Sequence, residues 1–301
     1  MTTIQPAPPA GRLIGTFEPG SPEWHAARMN GIGGSEIAAI LGLSPYESRF
    51  SLWHRKQGNL GPVQETPEMY WGKKHEPTIC AEFTDRHPEL LVLPSGTYTA
   101  DDLPWWIANP DRLGFTADGD LEVIEAKTAY DDFDWGDEGT DQIPLHYKAQ
   151  VRWYCRALGA RRARVAVLFG LSDYREYVVE PSDADTRLMH TQAKEFMDSL
   201  AVGQAPDIDG HVATFQAVKE LPEGMEDVDV DITPALRDRY FAALDAYKAA
   251  EQEKRHAAGL VLQQIDTGRR AVVGKDRVAT RTVRDGKTYS LQPARNRSTS
   301  A

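Results

Sequence analysis

The stretch that decides the fold is Leu121-Glu122-Val123-Ile124-Glu125-Ala126-Lys127, an apolar run that ends in charged residues. In a β-strand successive side chains point to opposite faces, so Glu125 and Lys127 lie side by side on one face. Burying them costs several kcal/mol each unless they are paired or bind a metal ion. The stretch therefore predicts either a functional site within a sheet or the end of an edge strand that lies in water.

A second carboxylate is predicted to lie beside this strand. Pro110 lacks an amide hydrogen, so it ends the preceding strand and places Asp111 at the turn. Asp118-Gly119 then reverses the chain and brings Asp111 across a hairpin from Glu125. Two carboxylates with an adjacent lysine form a hard-oxygen site that suits Mg²⁺ or Mn²⁺. Asp118 is the alternative first carboxylate, although its position in the turn favours a structural role.

Glu76 is a third candidate ligand, on a helix predicted over 70–86. Ile79, Cys80 and Phe83 share its helix face by their three- and four-residue spacing, so this face should pack on the sheet. A glutamate on such a face is expected to be paired or bound to a metal ion. The alternative is a rim glutamate near the start of the helix, where the helix dipole favours a negative charge.

A glycine-rich turn, residues 28–36 with the sequence RMNGIGGSE, is the fourth feature. Its glycines lead into a helix with Ser35 at the cap, and their exposed backbone amides can hold an anion. Arg28 would add a bidentate contact to a phosphate group. The turn is not a Walker A loop because the Gly-Lys-Ser/Thr ending is absent, so nucleotide hydrolysis is not indicated. A purely structural turn is the alternative.

The chain is predicted to form one α/β domain followed by an extension. Residues 1–20 are rich in Pro, Gly and Thr and predict a flexible N-terminal segment. Over 21–205 we expect a mixed central sheet flanked by helices. The predicted strands are Leu90–Leu93, Thr97–Ala100, Trp105–Ala108, Leu121–Ala126, Arg164–Phe169 and Tyr174–Val179, and the longer predicted helices cover roughly 70–86, 142–158 and 183–202. The extension, 206–301, predicts a helix over about 234–257 and three short strands, with Asp285-Gly286 as a hairpin turn.

Composition limits the classes of function. The formal net charge of −11 argues against nucleic-acid binding by bulk electrostatics but permits local contacts. Thirteen acidic residues within 101–141 contrast with nine Arg and Lys within 269–297, a basic tail that suggests contact with a polyanion or an acidic surface. Two cysteines, Cys80 and Cys155, exclude a four-thiolate zinc site, an iron–sulfur cluster and a disulfide framework. We expect a cytoplasmic protein, because neither a membrane span nor a signal peptide is recognisable.

Five segments, taken together and in this order, resemble the YqaJ-type viral recombinases, relatives of lambda exonuclease in the PD-(D/E)xK nuclease superfamily. The segments are Trp24-His25-Ala26-Ala27-Arg28, Ile32-Gly33-Gly34-Ser35-Glu36-Ile37, Trp71-Gly72-Lys73-Lys74-His75-Glu76, the pair Pro110-Asp111 with Glu125-Ala126-Lys127, and Ala149-Gln150-Val151. The resemblance covers about 21–205 and implies a restriction-endonuclease-like core. One departure is that Arg112 follows Asp111 where lambda exonuclease has glycine, and another is a longer hairpin, so Asp118 stays an alternative to Asp111.

The resemblance also implies roles for individual residues of the acidic cluster. Asp111 and Glu125 would bind the catalytic metal ion, with the Ala126 carbonyl as a further ligand. Glu76 would complete this site or serve a second ion. Lys127 would orient or deprotonate the attacking water.

Four further residues are implied to support the site or bind DNA. Gln150 would support the acidic cluster from its helix. Arg28 and Ser35 would receive the 5′-phosphate of a DNA end, and Asn109 is an additional candidate for this contact. The implied activity is a Mg²⁺-dependent 5′→3′ exonuclease, with Mn²⁺ as an alternative ion, that acts on double-stranded DNA ends and leaves 3′ single-stranded overhangs.

The implied biological setting is homologous recombination encoded by a phage or prophage. The resemblance implies a ring-shaped homo-oligomer, a trimer or tetramer, around DNA and a single-strand annealing protein as partner. In a ring, the acidic outer surface need not touch DNA. The alternatives are an endonuclease of the same fold and a non-catalytic DNA-end-binding or assembly module. The extension 206–301 would serve oligomerisation or contact a partner or DNA.

Overall fold

The computed structural model describes residues 6, 8–18, 20–222 and 224–294. It divides into two compact units, Met1–Gly224 and Met225–Ala301. The division differs from the expected boundary between 205 and 206, because a helix at Val212–Glu220 belongs to the first unit. The hydroxyl of Thr214 in this helix donates to Ser48 Oγ at 2.7 Å, and both side chains are buried.

Short helices and strands follow one another in the first unit. The helices are α1 (Pro22–Met29), α2 (Gly34–Ile40), α3 (Arg49–Lys56), α4 (Pro67–Arg86), α5 (Leu145–Leu158), α6 (Asp183–Val202) and α7 (Val212–Glu220). The strands are β1 (Arg12–Gly15), β2 (Leu91–Pro94), β3 (Thr97–Thr99), β4 (Ile107–Ala108), β5 (Arg112–Phe115), β6 (Leu121–Ala129), β7 (Arg162–Phe169) and β8 (Asp173–Val179). Ser21 caps α1, since its hydroxyl accepts from the Trp24 amide, and a proline follows it.

A five-stranded sheet in the order β2-β5-β6-β7-β8 forms the centre of this unit. Strands β6 and β7 are parallel and are joined through α5, and the other neighbours are antiparallel. The expected mixed sheet flanked by helices is therefore confirmed. Because β6 is hydrogen-bonded on both sides, the alternative of an edge strand with its end in water is wrong.

The two faces of β6 contact different helices. Val123 belongs to the main core together with Val151 of α5. Its neighbour Ile124 belongs to a second cluster with Ile79 and Phe83 of α4. Helices α4 and α5 therefore cover opposite faces of the sheet, which decides the side from which each can reach the charged end of β6.

A small sheet in the order β1-β3-β4 lies beside two stacked tryptophans. The rings of Trp106 and Trp153 lie 3.6 Å apart at 12°, and both side chains are fully buried. Each indole N–H donates to a backbone carbonyl, Trp106 to Trp153 O and Trp153 to Ile107 O, both at 2.9 Å. The pair thus fixes α5 against β4, the strand that leads to the predicted catalytic hairpin.

Two predictions of secondary structure are wrong. Within the segment predicted to be flexible, residues 12–15 form β1, which pairs with β3; residues 1–5, 7 and 19 lie outside the described residues. Strand β5 has no counterpart among the predicted strands, because it has only four residues and its Gly114 weakens the strand pattern. Its pairing with β6 compensates for this low local propensity.

The second unit contains a long helix and a small sheet, as expected for the extension. Helix α8 (Pro234–Ile265) is longer than predicted, and β9 (Arg270–Val273), β10 (Asp276–Arg284) and β11 (Lys287–Pro293) form an antiparallel sheet in the order β11-β10-β9. Asp285 and Gly286 have φ of 52° and 73°, the left-handed conformation that a tight two-residue hairpin requires. Of the helices within the described residues, none has the length and apolar character that crossing a lipid bilayer demands.

We expect Trp153→Ala to lower the free energy of unfolding of the first unit by about 3–5 kcal/mol, because it removes a buried ring and its hydrogen bond to Ile107. Urea unfolding followed by tryptophan fluorescence measures this, since all seven tryptophans lie in the first unit. Leu171→Ala, at a position 95% exposed, is the control and should change stability by less than about 0.5 kcal/mol. A similar loss in both variants would contradict the role of the stacked pair.

Candidate active site and metal centre

Asp111, Glu125 and Lys127 come together at the end of the β5–β6 hairpin. Arg112 pairs with Ile124, so Asp111 stands opposite Glu125. Asp111 Oδ2 accepts the Ala126 amide hydrogen at 2.7 Å, and Lys127 Nζ donates to Glu125 Oε1 at 2.6 Å. The predicted hairpin geometry is therefore confirmed.

Asp118 does not lie at this site. It is exposed at the turn of the hairpin, beyond the pairing of Phe115 with Leu121, whereas Asp111 lies at the opposite end of β5. The turn has the expected tight form, with Gly119 at φ 88° and its amide donating to Thr116 O at 2.9 Å. Asp111 is thus the carboxylate that the fold places beside Glu125.

Helix α5 completes the environment of Glu125. The Gln150 amide Nε2 donates to Glu125 Oε1 at 2.7 Å and to the Tyr154 hydroxyl at 3.0 Å. Glu125 is only 3% exposed, and its second oxygen, Oε2, is buried with no hydrogen-bond partner among the described residues. A buried carboxylate oxygen in this state is costly unless a cation or donor binds it.

The two carboxylates of the cluster, Asp111 and Glu125, carry more negative charge than the single Lys127 ammonium group can neutralise. Burial, followed by the Glu125 charge, raises the pKa of Asp111 well above its ordinary value. Burial also raises the pKa of Glu125, although Lys127 opposes this. For Lys127, burial lowers the pKa, but the Glu125 and Asp111 carboxylates together outweigh it and hold the pKa above its ordinary value. One ammonium group therefore does not neutralise the two carboxylates.

The donor set fits a hard divalent cation. Asp111 and Glu125 supply carboxylate oxygens, and one of these is the orphaned Oε2. Oxygen ligands of this kind suit Mg²⁺ or Mn²⁺ and do not suit a soft metal ion. Across residues 6, 8–18, 20–222 and 224–294, however, no group of three His, Cys, Asp or Glu side chains is placed to hold a metal ion. A metal site here would accordingly have two protein carboxylates and need backbone, water or substrate oxygens.

Glu76 does not form a group of three metal ligands with Asp111 and Glu125. It lies on α4, which packs on the face of the sheet opposite to α5, and its Oε1 lies 3.4 Å from Arg112 NH1. Its charge nevertheless contributes to the raised pKa values of Asp111 and Glu125, so it is close to the cluster. A role of Glu76 at a second ion stays a prediction.

The glycine-rich turn presents Arg28 and Ser35 beside each other. Arg28 NH2 donates to Ser35 Oγ at 3.1 Å, and the guanidinium lies 4.2 Å from the centre of the Trp24 ring. The expected cap is wrong in detail: α2 begins at Gly34 with Gly33 as N-cap, and Ser35 is in the first turn. A Cβ on Gly33 would lie 2.5 Å from Arg28 NH2, so only glycine lets the guanidinium approach the turn this closely.

Two residues that hold this turn are absent from the sequence predictions. Lys56 Nζ of α3 donates to Arg28 O at 2.9 Å, to Gly31 O at 2.8 Å and to Glu36 Oε2 at 3.0 Å. Glu36 also accepts the Gly33 amide hydrogen at 2.6 Å. Burial would raise the pKa of Glu36, but Lys56 and Arg28 outweigh it and keep the pKa low. The only sequence signal was Glu36 at the third position of its helix, typical of a capping box.

The glycine-rich turn is hydrogen-bonded to the strand that leads into the acidic cluster. Ile32 N donates to Trp105 O at 2.7 Å, and Ile107 N donates to Ile32 O at 2.9 Å. Two residues beyond Ile107, Asn109 donates from Nδ2 to Thr97 Oγ1 at 2.5 Å, and its Oδ1 is buried without a partner among the residues described. The fold thus places Arg28 and Ser35 next to the segment that carries Asn109 and Asp111.

We expect Asp111→Asn to stabilise the metal-free protein more at about pH 8 than at about pH 5. The pKa of Asp111 is raised by folding, so its contribution to stability is lost as pH rises from the unfolded-state pKa through the folded-state pKa. Asparagine keeps an acceptor for the Ala126 amide and removes the charge. Urea unfolding in EDTA at the two pH values measures the difference.

The same variant separates a metal site from a purely structural pair. Millimolar Mg²⁺ or Mn²⁺ should raise the stability of the wild type and raise that of Asp111→Asn much less, because a ligand stabilises the state that binds it. Asp118→Asn, in the exposed turn, is the control and should behave as the wild type. Equal stabilisation of all three proteins by the ion would refute binding at Asp111.

The part of the chain that carries these residues matches the model of one protein family. Residues 23–160, which include the positions from Arg28 to Gln150, match the YqaJ-like viral recombinase domain. The chain is 32% identical over 225 residues to the uncharacterized protein YqaJ of Bacillus subtilis (strain 168), a match that covers 72% of this chain and 68% of that protein.

Solved structures of exonucleases are also similar to this chain. The alkaline exonuclease LHK-Exo from Laribacter hongkongensis is 18% identical with a TM-score of 0.48, over 61% of this chain and 94% of that one. A phage related exonuclease from Haemophilus somnus 129PT is 8% identical with a TM-score of 0.43, over 58% of this chain and 96% of that one. On the domain match and the identity to its Bacillus relative, this chain belongs to the YqaJ-like viral recombinase family.

Proposed function

We propose that this protein is a Mg²⁺-dependent exonuclease, with Mn²⁺ as an alternative ion, that degrades one strand of double-stranded DNA from the 5′ end. The observation that carries the proposal is the buried pair Asp111 and Glu125 beside Lys127, with Glu125 Oε2 lacking a partner among the described residues. Membership of the viral recombinase family supports a nuclease. The product would be DNA with 3′ single-stranded overhangs.

Individual residues of the chain would bind the metal ion, position its ligands and orient water at the scissile phosphate. Asp111, Glu125 and the Ala126 carbonyl would hold the ion, and Gln150 keeps Glu125 in position through its 2.7 Å hydrogen bond. When bound, a divalent ion neutralises phosphate charge and acidifies water. Lys127, whose pKa is raised by its two carboxylate neighbours, is an ammonium group that can orient the attacking water by donating to it. It therefore acts as a hydrogen-bond donor rather than as a base.

Recognition of a DNA end would lie with Arg28 and Ser35. The guanidinium stacks on Trp24 and uses one N–H on Ser35, so further donors of its planar fork remain for a phosphate. Asn109, with its unpaired Oδ1, stays an additional candidate for contact with the DNA end. Fixing the terminal phosphate would determine which bond reaches the acidic cluster, and so make cleavage depend on an end.

The proposal extends to assembly and setting. We propose a ring-shaped homo-oligomer around DNA, since the net charge of −11 disfavours a broad DNA-binding outer surface. A single-strand annealing protein would use the 3′ overhangs in recombination within the bacterial cytoplasm, encoded by a phage or prophage. The extension would contribute to assembly or to contacts with a partner or DNA.

Lys127→Ala should reduce the rate of digestion of linear duplex DNA at least about 100-fold, because the hydrogen-bond donor that orients the attacking water is lost. Release of nucleotides from end-labelled DNA with Mg²⁺, and its absence in EDTA, measures the activity. Lys194→Ala is the control, since Lys194 lies on α6 in an exposed ion pair with Asp198. Near-normal digestion by Lys127→Ala would refute the catalytic role assigned to Lys127.

The same assay with a covalently closed circle tests the alternatives. An exonuclease digests the linearised DNA and leaves the circle intact, whereas an endonuclease of the same fold cuts both. Binding of linear DNA with no Mg²⁺-dependent digestion would instead indicate a non-catalytic module.

Arg28→Ala should abolish a preference for 5′-phosphorylated over 5′-hydroxyl ends while digestion of hydroxyl ends changes little. The reason is that, in this proposal, the terminal phosphate is the only part of the DNA that the guanidinium contacts. Initial rates on the two substrates measure the preference, and Arg161→Ala, in an exposed pair with Asp120, is the control. Equal wild-type rates on both ends would remove the basis for a phosphate pocket.

A further inference from the structure

Tyr154 connects the glycine-rich turn with the acidic cluster of Asp111 and Glu125. It lies on α5, one turn beyond Gln150, and is only 4% exposed. A Cβ placed on Gly34 would lie 2.4 Å from Tyr154 Cε1 and 3.0 Å from its hydroxyl oxygen. The ring therefore packs directly under the glycine that precedes Ser35, and only glycine permits this approach.

The hydrogen-bond direction at the Tyr154 hydroxyl can be assigned. Gln150 Nε2 lies 2.7 Å from a carboxylate oxygen of Glu125 and 3.0 Å from the hydroxyl oxygen. A carboxylate only accepts, so this atom is the amide nitrogen, and it donates one hydrogen to each neighbour. The Tyr154 oxygen is consequently an acceptor in this bond, and its own hydrogen remains to be placed.

Within the described part of the chain, no acceptor for this hydrogen lies within hydrogen-bond distance. A buried O–H group without an acceptor is unfavourable, so the site is suited to receive an acceptor from outside the chain. The charges that act on the hydroxyl are those of Glu125, Lys127 and Arg28, and the Gln150 amide donates to its oxygen. Gly34, which precedes Ser35, lies against the ring beside this hydroxyl, so an acceptor held by Arg28 and Ser35 would lie on the same side of the ring. A phosphate oxygen is a strong acceptor for an O–H donor.

We propose that the Tyr154 hydroxyl donates a hydrogen bond to the 5′-phosphate of the DNA end that Arg28 and Ser35 hold. This inference rests on the proposed function and names an additional binding residue for it. Tyr154 would contact the terminal phosphate on one side and, through Gln150, position Glu125 on the other. A single buried side chain would thereby fix the distance between the DNA end and the acidic cluster.

Burial, reinforced by the Glu125 charge, raises the pKa of the Tyr154 hydroxyl. The group therefore keeps its hydrogen at neutral pH and is available as a donor. Its neighbours also keep it in place, since the ring is held under Gly34 and the oxygen by Gln150.

Tyr154→Phe tests the proposal, because phenylalanine keeps the ring under Gly34 and removes only the hydroxyl group. The first readout is binding of a fluorescent hairpin duplex with a single 5′ end, measured by anisotropy in EDTA so that no cleavage occurs. With a 5′-phosphate on the hairpin, we expect the variant to bind at least about 10-fold more weakly than the wild type. With a 5′-hydroxyl, the two proteins should bind alike.

The second readout is the single-turnover rate with Mg²⁺ on the same two ends. The ratio of the phosphate rate to the hydroxyl rate should fall in Tyr154→Phe, and a ratio is insensitive to partial unfolding of the preparation. Tyr177→Phe is the matched control, since Tyr177 is a buried tyrosine whose hydroxyl donates to Gly136 O at 3.1 Å, away from both sites. It should leave both binding constants and the ratio unchanged.

The outcomes distinguish this inference from the proposed function. If the wild type prefers 5′-phosphorylated ends and Tyr154→Phe keeps the full preference, the phosphate contact of Tyr154 is refuted while the proposed function stands. If the variant slows equally on both ends and binds both hairpins as the wild type does, Tyr154 acts only through Gln150 and the contact is likewise refuted. If the wild type shows no preference, the end-binding role of Arg28 and Ser35 fails together with it.

Discussion

The burial of two carboxylates beside one ammonium group is the constraint on which this structure depends. Glu125 and Lys127 lie near the end of an interior strand of the sheet, and their side chains are only 3% and 17% exposed, so water solvates them poorly. Asp111 adds a second negative charge at the same point, and the pKa values of both carboxyl groups are raised as a result. The fold tolerates this arrangement because Lys127 and Gln150 both donate to Glu125 Oε1 and the Ala126 amide donates to Asp111 Oδ2. The remaining negative charge and Glu125 Oε2, which is unpartnered within the described residues, support the divalent ion that we propose for this site.

The second structural feature of the site is the glycine-rich turn, which lies close to the acidic cluster. Lys56 uses all three of its ammonium hydrogens on Arg28 O, Gly31 O and Glu36, so it holds the turn and has none left for a ligand. Ile32 bridges the turn to β4, which leads directly to Asp111. These hydrogen bonds connect the turn to the segment that carries Asp111. In the proposed function they would set the separation between a phosphate in the turn and the bond over the acidic cluster.

Local patterns predicted the parts of the site that lie close together in sequence. The alternation along Leu121–Ala129 placed Glu125 beside Lys127, and the Asp118-Gly119 turn brought Asp111 across from Glu125. Prediction failed where a pattern was short, as in strand β5, which has only four residues. For Glu76 the helix pattern predicted a face directed at the sheet and a partner, but it gave no indication of which face of the sheet that was. Helix α4 covers the face opposite to α5, which leaves Glu76 paired with Arg112.

The sequence by itself determined the α/β architecture, the hairpin that joins Asp111 to Glu125 and the glycine-rich turn with Arg28 and Ser35, because each follows from residue spacing of a few positions. Only the tertiary structure decided what surrounds them. Lys56 reaches the turn from another helix, and Tyr154 lies under Gly34 because α5 crosses between β6 and β7. Contacts between residues distant in the chain depend on how whole elements pack, and side-chain periodicity carries no information about which element lies opposite.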